Sequence, residues 1–222
     1  MSLESKRQTG LSSEGEQALE KLSSFWERHG QVILGAVGVV AVVAVGSFFY
    51  LRGRAEQESA AAGKLAEASL LYWQGEYQRS SEIAKQVSTQ YASTPSGADA
   101  HRVMADDAFW NGDFKTAIAE YRRYLEKAPA GLLAAAGRRS LAYALESDRE
   151  FAEAAKTYES LVGQLDRSSS AEFLMAAARC YQALGQPARA LEPLRRLDAE
   201  FGESSYSMLA RTRIAELEAA SR

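Results

Sequence analysis

The sequence predicts an all-α chain. One N-terminal helix, long and apolar enough to cross a membrane, precedes an α-solenoid of about four helix pairs closed by a capping helix. Three observations lead there. Twenty residues from Val32 to Leu51 carry no charge. Beyond Arg52 the chain becomes rich in Ala, with Leu, Glu, Arg and Gln, residues of high helix propensity. Through that second part a short turn-like pattern recurs every ~37 residues. The boundaries that follow are residues 1–30 for a polar tail and juxtamembrane segment, 31–54 for the membrane helix and 55–222 for the solenoid.

Met1 to Glu16 is polar and lacks apolar periodicity, which predicts disorder in isolation. The run that follows, VILGAVGVVAVVAVGSFFYL, has only Ser47 as a polar side chain. At a rise of about 1.5 Å per residue it spans about 30 Å, the thickness of a bilayer's hydrocarbon core. Trp26 stands before it and Phe48, Phe49 and Tyr50 at its exit, where aromatics settle at headgroup level. Arg52 and Arg54 then end it. A cleaved signal peptide fits less well, because the run is too long. Charged Arg52-Gly53-Arg54 also separates it from the small-residue cluster Ala60 to Ala62. Gly35, Gly38, Ala41, Ala44 and Ser47 recur every third residue, a smooth ridge of the kind that lets membrane helices approach closely. The competing explanation is that Gly and Ala are common in such spans. Lys21 and Arg28 on one flank against Arg52, Arg54 and Lys64 on the other lean weakly towards a cytoplasmic C-terminal part.

The recurring pattern is Gly75-Glu76-Tyr77, Gly112-Asp113-Phe114, Arg149-Glu150-Phe151 and Gly185-Gln186-Pro187. Phe114 is followed by Ala117, Tyr121, Leu125 and Pro129, and Phe151 by Ala154, Tyr158 and Val162. In the fourth unit Pro187 is followed by Ala190, Leu194 and Leu197. A glycine between two antiparallel helices accepts positive φ and ends the first of them. The small residue three positions after the aromatic lets the paired helices touch, and the tyrosine fills the gap to the next unit. Ala68, Ala105, Ala142 and Ala178 supply the equivalent small position on each first helix. The segment Tyr206 to Ala220 reads as the cap.

These residues resemble the tetratricopeptide repeat (TPR), and Ala105 to Pro129 is close to its consensus second half. The first unit departs from it, with Ser80 at the small position and the proline displaced to Pro95; the third has Arg149 in place of the turn glycine. The resemblance implies stacked helix pairs that bind ligands on the face built by the first helix of each pair. Mapped onto this sequence, that face holds Tyr72 and Trp73, then Phe109 and Trp110, with Tyr143 read as the third-unit counterpart. Arg102 and Arg139 share a further position, and Asp106 and Arg179 the next. Aromatics and arginines together suit an extended or helical peptide with apolar and acidic groups. The alternative is that individual aromatics pack between repeats. The pattern differs from the carboxylate clamp of chaperone-binding members, which has Asn and Lys where Asp106 and Arg102 stand.

No enzyme chemistry is legible. His29 and His101 have no partner at metal-ligand spacing, and neither a nucleophile elbow nor a phosphate loop occurs. Asp106-Asp107 reads as a solvated or groove-lining pair, since successive helix residues point about 100° apart. Cys180 is the only cysteine, so no internal disulfide forms and a buried packing role is expected. A net charge of -3 argues against nucleic acid as a partner. No cofactor, metal or small-molecule substrate is expected; the expected partners are other proteins, with the bilayer engaged through one helix.

Leu19 to Arg54, with Phe25-Trp26, His29-Gly30, a Gly/Val-rich span and an aromatic exit, resembles the start of bacterial ancillary Sec-translocon subunits. The repeats themselves are closer to generic TPR, like those of cell-division coordinators. The resemblance implies a single-pass protein of the bacterial inner membrane with its N-terminus cytoplasmic and its repeats periplasmic. Three functions remain open: a scaffold or adaptor at the translocon, an accessory subunit of a respiratory or photosynthetic membrane complex, or a cell-envelope and division coordinator.

Overall fold

The computed structural model describes residues 13–127 and 130–220, so most of the Met1 to Glu16 tail, and Pro129, lie outside the described residues. Among the described residues there are nine helices and no strand. They are α1 (Ser13–Trp73), α2 (Tyr77–Gln90), α3 (Pro95–Trp110), α4 (Phe114–Lys127), α5 (Leu132–Ser147), α6 (Phe151–Leu161), α7 (Arg167–Ala183), α8 (Pro187–Glu200) and α9 (Ser207–Ala220). Helix α1 begins within the segment expected to be structureless. The chain divides into two compact units, Met1–Ala55 and Glu56–Arg222.

The first unit is helical throughout its described length. Its large apolar side chains, Val32, Val39, Val42 and Phe49 among them, are exposed. A helix apolar on all sides needs a nonaqueous surround. Among the described residues this is the one helix long and apolar enough to cross a membrane.

In the second unit, residues 56–73 of α1 pair with α2, followed by the pairs α3/α4, α5/α6 and α7/α8, with α9 as the cap. The same turn closes the first helix of every pair. The N–H of Gly75 donates to the Tyr72 carbonyl (2.9 Å) and that of Glu76 to Leu71 (2.9 Å). Gly112 and Asp113 repeat this on Phe109 and Ala108, and Gly185 and Gln186 on Gln182 and Tyr181. This is a Schellman motif, which needs a left-handed residue at its centre. Gly75, Gly112 and Gly185 supply it at φ 81°, 77° and 68°, and in the third pair Arg149 adopts the same conformation at φ 65°. Its hydrogen bonds, Arg149 to Glu146 and Glu150 to Leu145, are unchanged in kind.

The small positions make the helix contacts expected of them. Ala68, Ala105, Ala142 and Ala178 are buried on the first helices, and Ser80, Ala117, Ala154 and Ala190 on the second. Tyr121, Tyr158 and Leu194 fill the spaces towards the next unit. Cys180 is buried, which together with the nearby Glu146 pushes its thiol up to about 12. At the start of α3 the Glu58 carboxylate accepts hydrogen bonds from the Ser96 hydroxyl (2.7 Å) and the Ser96 N–H (3.1 Å). Burial alone would raise the Glu58 pKa; the Ser96 bonds and Thr94 outweigh it and hold it below the usual value. Gly97 makes this entry possible, because a Cβ there would lie 1.9 Å from the Tyr91 carbonyl oxygen.

The apolar core is in two parts. A small cluster joins Ala61, Leu65 and Ala68 to Ala84, Val87, Ala100 and Val103. A larger one runs from Ala105 through Leu145, Tyr158 and Leu174 to Ala210. Ser80 and Asp107 face each other across the α2–α3 contact as buried polar residues beside the smaller cluster. The view of Asp106-Asp107 as a solvated or groove-lining pair is corrected here. Asp107 is 0% exposed, and both its oxygens and the Ser80 hydroxyl are buried outside hydrogen-bonding geometry. The 100° step between neighbours turns Asp107 into the α2–α3 contact while leaving Asp106 at the surface. Burial raises the Asp107 carboxyl to about 7, with Ser80 offsetting part of the effect and Asp106 adding to it.

Candidate docking groove on the repeat face

Tyr72 and Trp73 end α1, and Phe109 and Trp110 end α3, each pair immediately before a Schellman turn. The identical turns set the two pairs in the same register, side by side. The Trp110 indole N–H donates to the Tyr72 hydroxyl oxygen at 2.7 Å. Within each pair the rings meet edge to face, Tyr72 with Trp73 at 5.2 Å and Phe109 with Trp110 at 5.9 Å. Trp73 is 81% exposed and Trp110 61%, far more than core tryptophans allow.

Behind these rings lies a charged network on α3. Arg102 donates from Nε and one terminal nitrogen to both Asp99 oxygens (2.8 and 3.0 Å), and from the other to Asp106 Oδ2 (2.8 Å). The Tyr121 hydroxyl, from α4, donates to Asp106 Oδ1 at 2.6 Å. Burial pushes the Asp106 carboxyl upward, partly countered by the Tyr121 bond and by Arg102. Burial and the adjoining Asp106 push the Tyr121 phenol far above its ordinary value. On α5, the Tyr143 hydroxyl donates to Glu172 at 2.6 Å.

Two adjoining hollows open on this face. One, of about 190 Å³, is lined by Tyr72, Asp106, Phe109, Trp110, Tyr121, Ser140 and Tyr143. The other, of about 340 Å³, is lined by Ser69, Tyr72, Trp73, Arg102, Val103 and Asp106. The structure thus brings together Tyr72, Trp73, Arg102, Asp106, Phe109, Trp110 and Tyr143. Arg139 and Arg179 line neither hollow. Arg139 is half-buried. Arg179 is held by Glu146, with one contact at 2.8 Å, beside a separate hollow that includes Met175 and Leu209.

Counted from the turns, the third-pair residue in register with Tyr72 and Phe109 is Glu146; Tyr143 stands in register with Asp106 and Arg179. Tyr143 reaches the hollow from that earlier turn of its helix. Ser140, overlooked in the sequence, is in register with Val103, and the repeat spacing alone would have found it. Tyr121 was read as a spacer between units and lines the hollow as well.

Elsewhere, Gly35, Gly38, Ala41, Ala44 and Ser47 are all exposed on α1. His101 Nδ1 lies 2.7 Å from Glu120, which also binds Arg123. Among the described residues no group of three or more His, Cys, Asp or Glu could hold a metal.

A family model described as a tetratricopeptide repeat-like domain matches residues 23–173, a span that takes in the apolar helix and the first three helix pairs. A second, described as a tetratricopeptide repeat, matches residues 172–204. No curated protein matches the sequence. Among solved structures, the chain resembles the nearly identical TPR-like repeats of a candidate kinesin light chain from Podosopora anserina. Identity is 21%, with a TM-score of 0.57 over 74% of this chain and 88% of that one. A single-substitution variant of the same protein gives 21% and 0.57 over 74% and 87%. At this identity the likeness concerns the fold. The repeat-like domain model alone spans more than half of the sequence, and the chain belongs to the tetratricopeptide repeat-like domain family.

Proposed function

We propose that this protein is a membrane-anchored scaffold that docks other proteins on the groove running from Trp73 to Tyr143, with the apolar part of α1 as its anchor. The observation that carries the docking reading is the exposure of Trp73 and Trp110 beside two adjoining hollows. Large aromatics left in water next to a concavity are the usual anchors of protein interfaces. The anchor rests on the uncharged run Val32 to Leu51 and its aromatic flanks. With no catalytic arrangement in the sequence, binding is the proposed activity. The N-terminal resemblance to ancillary Sec-translocon subunits supports a place at the translocon in a bacterial inner membrane, with the repeats periplasmic. Long domains translocate with little regard to flanking charge, so the small charge difference around the helix does not oppose this.

Purification of the tagged protein in gentle detergent, followed by mass spectrometry, tests both parts. Stoichiometric recovery with Sec components is the expected result. Recovery with an energy-transducing complex would favour an accessory-subunit role through the exposed Gly35 to Ser47 ridge. A monomer with no partner would overturn the scaffold reading. Trp73→Ala with Trp110→Ala should lower partner recovery at least tenfold while far-UV circular dichroism stays unchanged. Full recovery by that variant would remove the groove from the account.

A further inference from the structure

The hollow between α1, α3 and α5 has a chemistry more specific than an apolar cleft. Its walls are the rings of Tyr72, Phe109, Trp110, Tyr121 and Tyr143, and the only charged group in its lining is the Asp106 carboxylate. Of the hydrogen-bond donors around it one indole and two phenols are engaged, and the Tyr72 and Ser140 hydroxyls can turn to accept as well as donate. The Trp110 N–H is on Tyr72, the Tyr121 hydroxyl on Asp106 and the Tyr143 hydroxyl on Glu172. What they leave towards an occupant is oxygen lone pairs and ring faces. Each Asp106 oxygen accepts one hydrogen bond here, and an ionised carboxylate has capacity for about four. The surrounding charges lean the same way: Asp99, Asp106 and Glu172 outnumber Arg102 and Arg139.

We propose that this hollow receives the cationic head of a lysine or arginine side chain from an extended segment of a partner protein. The proposal rests on the docking reading above and names the chemistry that the docked segment carries. A cation over aromatic faces gains from the ring quadrupoles, and more so where water is partly excluded. Its N–H groups also match a site that offers acceptors and has few donors to spare. An acidic side chain fits poorly, because Arg102 is held by Asp99 and Asp106 and Arg179 by Glu146, and Arg139 stands outside the lining of the hollow. At about 190 Å³ the hollow suits one long side chain.

The test uses the full chain in detergent, labelled with 15N in its indoles. It is titrated with n-butylguanidinium and n-butylammonium, and in parallel with n-butanol and butyrate. The Trp110 indole resonance is followed, because its proton sits in the hollow's wall. Both cations should shift it saturably, butanol at least tenfold more weakly, and butyrate not at all. Asp106→Asn should weaken the cations about tenfold and leave butanol unchanged. Ser140→Lys, which places a tethered cation at the hollow without touching Asp106, should abolish the response to both cations. Equal binding of butanol and the cations, a response to butyrate, no saturable response to any probe, or no effect of Asp106→Asn in a folded protein would each overturn the proposal. If the cations fail while the Trp73/Trp110 double variant still loses its partners, the docking reading stands and only the cationic occupant is wrong. If that variant keeps its partners as well, both fall.

Discussion

Asp107 is the residue with the largest unmet demand in the repeat unit. Its carboxyl oxygens and the Ser80 hydroxyl are enclosed side by side, none of them in good hydrogen-bonding geometry. Leaving such a group unsatisfied costs on the order of 1–3 kcal/mol. Its folded pKa of about 7 stands above the ordinary aspartate value of 3.8, so the folded state binds the proton more tightly than the unfolded one. The stability from this protonation is full below the unfolded pKa and is lost as pH rises through about 7. Asp107→Asn should therefore raise stability by roughly 1–3 kcal/mol at pH 8 and change it little near pH 4. Urea unfolding at the two pH values checks this, and an equal effect at both would contradict it. The sequence did not disclose this role. The 100° step that excludes an acid/base dyad also sends one neighbour to the groove and the other to the α2–α3 contact. Which of the two turns inward depends on how α2 packs, and Ser80 at a position filled by Ala in the other pairs was the available clue.

At the scale of the element, one turn motif sets the register of the whole face. Three of its left-handed positions are glycines, but Arg149 takes the fourth against a steric cost of about 1–2 kcal/mol for an L-residue with a side chain. Arg149→Gly should relieve part of that strain and raise stability by about 0.5–1 kcal/mol, read as a higher urea midpoint with an unchanged slope. An unchanged or lowered midpoint would mean that the arginine's own contacts outweigh the strain. The turns were legible because glycine followed two residues later by an aromatic is a strong local signal. The third was legible only through its neighbours, since Arg149 gives no hint of positive φ. The error over Tyr143 arose from matching aromatics by type; counting back from the turn places Glu146 at that position.

At the scale of the molecule, the division near Ala55 follows a change in composition that the sequence states openly, from Val and Gly before Arg52 to Ala, Leu and Glu after it. The proposed membrane anchor lies in the first half. Lysine at the centre of a membrane helix costs about 2.5–3.5 kcal/mol, so Val40→Lys with Val43→Lys should release the full chain from membranes on alkaline extraction. Retention of that double variant would show that attachment runs through the repeats instead. What composition could not show is that the repeat unit's apolar core falls into two clusters, one built on α1, α2 and the first part of α3 and the other on the rest. In a solenoid, stability is close to a sum over units and the junctions between neighbours. The smaller cluster bridges the α2–α3 contact, taking Ala84 and Val87 from α2 and Ala100 and Val103 from α3, so the break between the two clusters falls along α3, between Val103 and Ala105. The array is therefore uneven as a cooperative system. The N-terminal repeats, resting on the smaller cluster, are expected to open at a free energy below that of global unfolding, which amide hydrogen exchange would read as weaker protection in α2 than in α7. Tyr72 and Trp73 end the helix that carries the smaller cluster and Trp110 ends the helix on which the two clusters meet, so a partner gripping all three would span that break and stabilise the fold as it binds.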